Sequence, residues 1–210
     1  MKFTKNSPSF WGKKFPFKNS KSHKYNRGKV VVVAGKKQMI GASILCAEAA
    51  LRTGVGSVKL LCTKETFSFF SIKFPSVLKQ EINTFSEFKK FVSKNKDSTY
   101  LIGPGSGVSS NTLKKTIYLL KNIKHVILDA DALTSFKRKT KELHKLLDGN
   151  KIITPHIKEF KKIFPDLKKI NDHKKLILSA IKKTKAVIVL KGNKTLIGNK
   201  KKIFINDKTS

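Results

Sequence analysis

His156 follows Thr154-Pro155 and stands three residues before Glu159, which brings an imidazole and a carboxylate together at a helix start. Such a pair can touch a ligand or exchange a proton with it, and it can equally well only cap the helix. Asp129 and Asp131 flank Ala130 directly after "HVIL". They could orient a sugar hydroxyl or a hydrated cation, or serve as a helix cap and a turn former. "GPGSG" (103–107) offers free backbone N–H groups ahead of a helix N-cap at Ser109 or Ser110, a setting suited to an anion or to a plain turn. Lys191 and Gly192 close "VIVL", and Gly41-Ala42 opens a helix soon after Gly35. The small pair lets a ligand approach or lets the helix pack tightly on what lies beneath it. Cys46 reads as core, His125, His144 and His173 as surface residues, and Trp11 as an anchor for the leading segment.

The elements that must carry these residues follow a regular rhythm. "KVVVVAG" (29–35), "SVKLLCT" (57–63), "STYLIG" (98–103), "KHVILDA" (124–130), "KIITP" (151–155) and "KAVIVLKG" (185–192) are short apolar runs rich in β-branched residues. Helical spacing predicts helices over 41–54, with Gly54 as C-cap, and over about 109–121, 131–147, 156–164 and 173–184. Strands apolar throughout and alternating with helices predict an α/β fold: a mostly parallel sheet with helices on both faces. "KTLIGNKKKIFIN" (194–206) reads as a closing hairpin. In such a sheet ligands bind beyond the carboxyl ends of the strands, where these glycines, acids and the His all fall. Residues 1–28 read as a leading segment or linker and 29–210 as one domain.

Composition narrows the function classes. The 210 residues suit one domain, and no run of about 18 apolar residues spans a membrane. The basic start lacks the apolar stretch of a secretory signal. Cys46 and Cys62 form no CxxC pair, so a reduced, cytoplasmic protein is expected. The formal charge of +33 raises the possibility of nucleic acid, but all except three of the 46 basic residues are lysines, spread along the whole chain. Base readout and stacked single strands favour Arg and exposed aromatics, so no specific nucleic-acid site is expected.

Taken in order, "HKYNRGKVVVVAG", "MIGASILCAEAALRTGVGSVKLL", "LIGPGSG", "VILDADALT", "IITPHIKEF" and "VIVLKGNKT" resemble the NAD(P)H-hydrate dehydratases of the ribokinase-like superfamily, from about His23 to Asn206. The resemblance implies repair of reduced nicotinamide cofactors hydrated at C6. ADP or ATP, with Mg2+, would phosphorylate the hydroxyl, and loss of phosphate would restore NADH or NADPH. It implies that Ala42, Gly105, Gly107 and His156 bind the hydrated dinucleotide. Lys191, Gly192, Asn193, Lys194 and Thr195 would hold the adenosine nucleotide, Asp131 and Glu159 would support magnesium and the polar network, and Asp129 would be a further supporting polar residue. It further implies a homo-oligomer and an epimerase domain or protein as a partner. Another ribokinase-like small-molecule kinase, or a basic nucleic-acid-binding remnant, are the alternatives. Three departures stand out. Ile157-Lys158 replaces the usual Pro-Gly after the His, and Lys36 replaces an early Ser. The Gly-Thr-Gly-Asp loop, whose Asp is the family's base, would lie beyond Ser210, so no catalytic residue is expected within the chain. The resemblance thus implies an incomplete domain that lacks the usual C-terminal helices.

Overall fold

The structure is a computed structural model that describes residues 2–15 and 24–207. Part of the expected linker, and the last three residues of "FINDKTS", lie outside the described residues. The parallel core of the sheet comes from β2 (Lys29–Val33), β3 (Ser57–Cys62), β4 (Leu78–Glu81), β5 (Thr99–Ile102), β6 (Val126–Leu128), β7 (Lys151–Ile153) and β8 (Val187–Leu190). Two further strands, β9 (Thr195–Gly198) and β10 (Ile203–Asn206), form the expected hairpin, with β9 antiparallel to β8. At the far edge β1 (Phe3–Lys5) pairs in parallel with β10. The ten strands run in the order β1-β10-β9-β8-β7-β6-β5-β2-β3-β4.

The order carries the functional consequence. From β2 the chain moves outward to β3 and β4, then returns to β5 on the other side of β2 and continues through β6, β7 and β8. The sheet therefore has a topological switch point between β2 and β5, where loops leave in opposite directions and open a crevice.

Each strand run sits in the sheet because its alternate residues are buried on opposite faces. On one face Val31, Val33, Tyr100, Ile102, Leu128, Ile153 and Ile188 are buried against helices. These helices are α4 (Phe85–Lys94), α5 (Ser110–Asn122), α6 (Ala130–Thr134), α7 (Thr140–Leu146), α8 (Ile157–Ile163) and α9 (His173–Thr184). On the other face Val32, Val58, Leu60 and Cys62 pack on Ala47 of α2 (Ile40–Arg52) and Phe70 of α3 (Lys64–Lys73). Those two helices cover only the β2–β4 side. Ile127, Ile152, Val187, Val189 and Ile197, on the same face, are only half-buried. Helices on both faces are thus present, with one face covered over part of its width.

Some expectations need correction. The span 131–147 is two helices, because residues 135–139 turn sharply after Thr134 before α7 begins. The leading segment is partly sheet: Phe3–Lys5 form β1, and Phe10, on the short helix α1 (Pro8–Trp11), packs on Phe204 with ring centroids 5.6 Å apart. Trp11 meets Phe15 of its own segment, so the ring contact that ties the segment to the sheet is that of Phe10. His144 is half-buried rather than superficial. It stacks on Phe164 at 4.7 Å, and its Nε2 donates to the Ile163 carbonyl at 2.8 Å. His125 and His173 are exposed, and Cys46 packs at the edge of the α2–α3 core.

Candidate functional site

At the switch point two loops lie backbone against backbone. Gly35 lies two residues past the end of β2, and its N–H is held by the buried Ser43 hydroxyl of α2 at 2.8 Å. A Cβ on Gly35 would come within 2.5 Å of the Gly105 carbonyl oxygen, so no larger residue allows this contact. That same oxygen accepts from the Lys36 N–H at 2.8 Å. Gly105 has φ +68°, and a Cβ there would lie 2.6 Å from the Met39 Cβ and 3.5 Å from the Ala42 Cβ. The Gly41-Ala42 opening of α2 and the "GPGSG" loop therefore form one wall, and Ala42 and Gly105 are neighbours in it. Ser109 is the N-cap of α5, its hydroxyl accepting from the Thr112 N–H at 3.1 Å.

The loop is tied to the next strand exit by a carboxylate. Asp131 Oδ2 accepts from the Gly107 N–H at 2.7 Å. Gly103, with φ +130°, has no room for a side chain, since a Cβ would fall 1.8 Å from the Asp129 carbonyl oxygen. Ala130, between the two acids, adopts φ +45°, a left-handed conformation costly for a residue with a Cβ. Asp129 begins α6 without a side-chain capping bond. Its Oδ1 instead accepts from Lys191 Nζ at 2.6 Å, joining the exits of β6 and β8 across 62 residues of sequence.

Lys191 in turn bridges to the β7 exit. Its N–H donates to the Pro155 carbonyl at 2.9 Å, and it forms an isolated parallel bridge with His156. His156 caps α8, its Nδ1 accepting from the Lys158 N–H at 3.1 Å and its own N–H donating to Glu159 Oε2 at 3.0 Å. With Nδ1 an acceptor, the ring proton sits on Nε2, 3.3 Å from Glu159 Oε1. The ring is the most exposed member of this group, with 48% of its side-chain surface open. Past Lys191, Gly192, Asn193 and Lys194 form an exposed turn into β9, where the Thr195 hydroxyl donates to the Gly192 carbonyl at 3.2 Å.

The sequence-expected residues thus form a connected line along one edge of the sheet: Ala42, Gly105 and Gly107, Asp131 and Asp129, Lys191, His156. The acids do not match the expectation of a magnesium support. Asp129 is paired with Lys191, Asp131 with a backbone amide and Glu159 with His156. Among the described residues, no three His, Cys, Asp or Glu side chains gather as a metal-binding group. This donor set does not suit a protein-held divalent ion. Beside the line, at the β2–β5 switch point, lies a cleft of about 270 Å³ lined in part by Lys36, Ser106 and Lys115. Ser106 and Lys115 escaped the sequence reading. Among so many lysines nothing marks Lys115, and Ser106 stands out only as the polar member of its glycine cluster.

A family model described as NAD(P)H-hydrate dehydratase matches residues 30–210. The chain belongs to the NAD(P)H-hydrate dehydratase family. An ADP-dependent (S)-NAD(P)H-hydrate dehydratase of Staphylococcus aureus is 28% identical over 151 residues, covering 70% of this chain and 53% of that protein. The Neisseria meningitidis enzyme of the same description is 29% identical over 197 residues, covering 89% and 63%. Among solved structures, an ADP/ATP-dependent NAD(P)H-hydrate dehydratase from Bacillus subtilis, co-crystallised with ATP/Mg2+, superposes with a TM-score of 0.75 at 22% identity, covering all of this chain and 74% of that one. A ribokinase-like superfamily protein from Enterococcus faecalis gives 0.81 at 22% identity, covering 97% and 71%. These superpositions establish the ribokinase-like fold. The chain spans roughly one to two thirds of the length of the curated dehydratase relatives. No helix among its described residues is long and apolar enough to cross a membrane.

Proposed function

We propose that this dehydratase-family chain binds a hydrated reduced nicotinamide dinucleotide at the switch point and an adenosine nucleotide at the β8–β9 turn, for phosphorylation-driven dehydration of the nicotinamide ring. The observation that carries the reading is the unbroken line of contacts from Ala42 and Gly105 through Asp131 and Asp129 to Lys191 and His156. It sets a backbone-lined wall and a cation on one edge, as a reaction between two nucleotides requires. Ala42, Gly105, Gly107 and His156 face the dinucleotide in this reading, and Lys191 to Thr195 the nucleotide. Magnesium would arrive with the nucleotide phosphates, because the three carboxylates are engaged elsewhere. For the same reason none of the three is assigned as the base. The reading places the chain in the cytoplasm, as a homo-oligomer working beside an epimerase activity. Relatives such as that of Thermofilum pendens are named bifunctional NAD(P)H-hydrate repair enzymes.

Calorimetric titration with ADP tests the nucleotide half: saturable binding that Lys191→Met removes is the expected result. Absent ADP binding, accompanied by salt-sensitive uptake of an oligonucleotide, would overturn the reading in favour of a basic binding protein. Recovery of the reduced nicotinamide absorbance from hydrated NADH plus ADP measures the chemistry itself.

A further inference from the structure

The cleft at the switch point is unusually rich in hydrogen-bond donors and positive charge. One side is formed by Lys36 and Lys37 after β2, the other by the start of α5 with Lys115 one turn in. Lys37 is paired with Glu65 at 3.3 Å, and that carboxylate also lines the cleft. Lys36 and Lys115 form no ion pair among the described residues. Lys36 lies over the "GPGSG" loop, its Nζ 2.7 Å from where a Cβ on Gly107 would sit. Lys115 is half-buried over the Phe88 ring at 5.3 Å, and burial pushes its pKa below that of an ordinary lysine. An ammonium held there without a carboxylate gains more from an incoming anion than a solvated one does. The hydroxyl of Ser106, also in the lining, is buried and has no hydrogen-bond partner. The positive end of the 13-residue α5 helix adds to the same field.

We infer that this cleft binds a phosphomonoester dianion, with Lys36 and Lys115 supplying the charge and Ser106 and the start of α5 the hydrogen bonds. Resting on the reading above, the dianion is the 2′-phosphate of the dinucleotide. The cleft shares Gly35 and Lys36 with the wall around Gly105 and Ala42, so a dinucleotide lying along that wall brings its far end here. The chain therefore selects the phosphorylated dinucleotide over the unphosphorylated one.

Calorimetric titration of the full chain with NADP+, NAD+, inorganic phosphate and ADP tests this. NADP+ is expected to bind about tenfold more tightly than NAD+, the worth of one charge-assisted anion contact. Lys36→Ser and Lys115→Met should each lower NADP+ affinity by more than NAD+ affinity and so remove much of that preference, and the double variant should abolish it. Lys137→Ser removes an exposed charge elsewhere and should leave the preference intact, which separates a site from general attraction to a +33 chain. Because Lys36 is exposed, its variant stays folded even if Lys115→Met does not. Equal affinity for the two dinucleotides, or a preference that survives in the double variant, overturns the inference. So does phosphate binding without any NADP+ preference, which would assign the cleft to free phosphate. ADP binding without NADP+ selectivity sinks this inference alone, whereas selectivity without ADP binding sinks the nucleotide reading alone.

Discussion

The two ends of the crevice are built by different physics. At the β2–β5 end, shape comes from backbone pressed on backbone: Gly35 against Gly105, Gly105 against Met39. Two of its cations, Lys36 and Lys115, form no ion pair among the described residues, although Lys37 beside them is paired with Glu65. At the β8–β9 end the reverse holds. Gly192 has room for a Cβ, which would meet the Lys194 carbonyl oxygen at an ordinary contact of 3.7 Å, and the shape is set by the Lys191–Asp129 ion pair at 2.6 Å. One end is a rigid mould with free charge, the other a loose turn hung on a spent charge. A ligand at the first end meets a surface already formed, while one at the second must compete with Asp129 for Lys191.

The largest effect should come from breaking the joint between the ends. Gly103→Ala puts a Cβ into the Asp129 carbonyl and forces a side chain into φ +130°. It should cost more than ~3 kcal/mol in denaturant unfolding, since neither the β5 exit nor the β6 exit can yield without the other. Gly192→Ala, at the loose end, should cost under ~1 kcal/mol. Equal losses at the two positions would abolish the contrast between mould and turn.

A middle-sized effect is expected from the ion pair. Lys191→Met should weaken ADP binding by about tenfold or more, while Asp129→Asn, which frees Lys191, should weaken it less or strengthen it. Adding Asp129→Asn to Lys191→Met should then change little, because the partner is already gone. If both single variants lose ADP equally, Lys191 is only a strut for Asp129.

The mould was largely legible in the sequence and the strut was not. β-branched runs marked β2, β3 and β5 to β8, and the glycines marked the close approaches. Gly54 ends α2 in the left-handed conformation a C-cap needs, with φ +85°. Strand β4 went unread because "LKQE" has no apolar run and lies at the sheet edge with alternate residues exposed. The α4 helix carried a usable signal, since Thr84 and Glu87 form a capping box, but α3 has little amphipathic pattern to find. β1 is three residues long and is defined only by its partner β10. Pairings such as Lys191 with Asp129, or Lys115 with the cleft, arise from tertiary proximity, and no local period encodes them.

The smallest effect concerns the support behind the looser end. His144 on α7 braces the last turn of α8, whose N-cap is His156, through its bond to the Ile163 carbonyl and its stacking on Phe164. Burial is the main cause that pushes its pKa below the usual histidine value, opposed by the bond to the Ile163 carbonyl and by Asp166 and reinforced by Lys183. Between that lowered value and the ordinary one of the unfolded chain, the unfolded state binds more protons. Stability is therefore present above the unfolded pKa and falls as pH drops through the folded one. His144→Phe keeps the stacking and removes the titration. Its thermal midpoint should fall less than that of the unsubstituted chain between pH 7.5 and 5.5, the gap being about 1–3 °C for a chain of this size. Hydrogen exchange in α8 should show the same difference, while α2, behind the mould, should not. An equal response in both helices would mean that protonation of His144 acts on the whole fold and does not single out the end that His156 occupies.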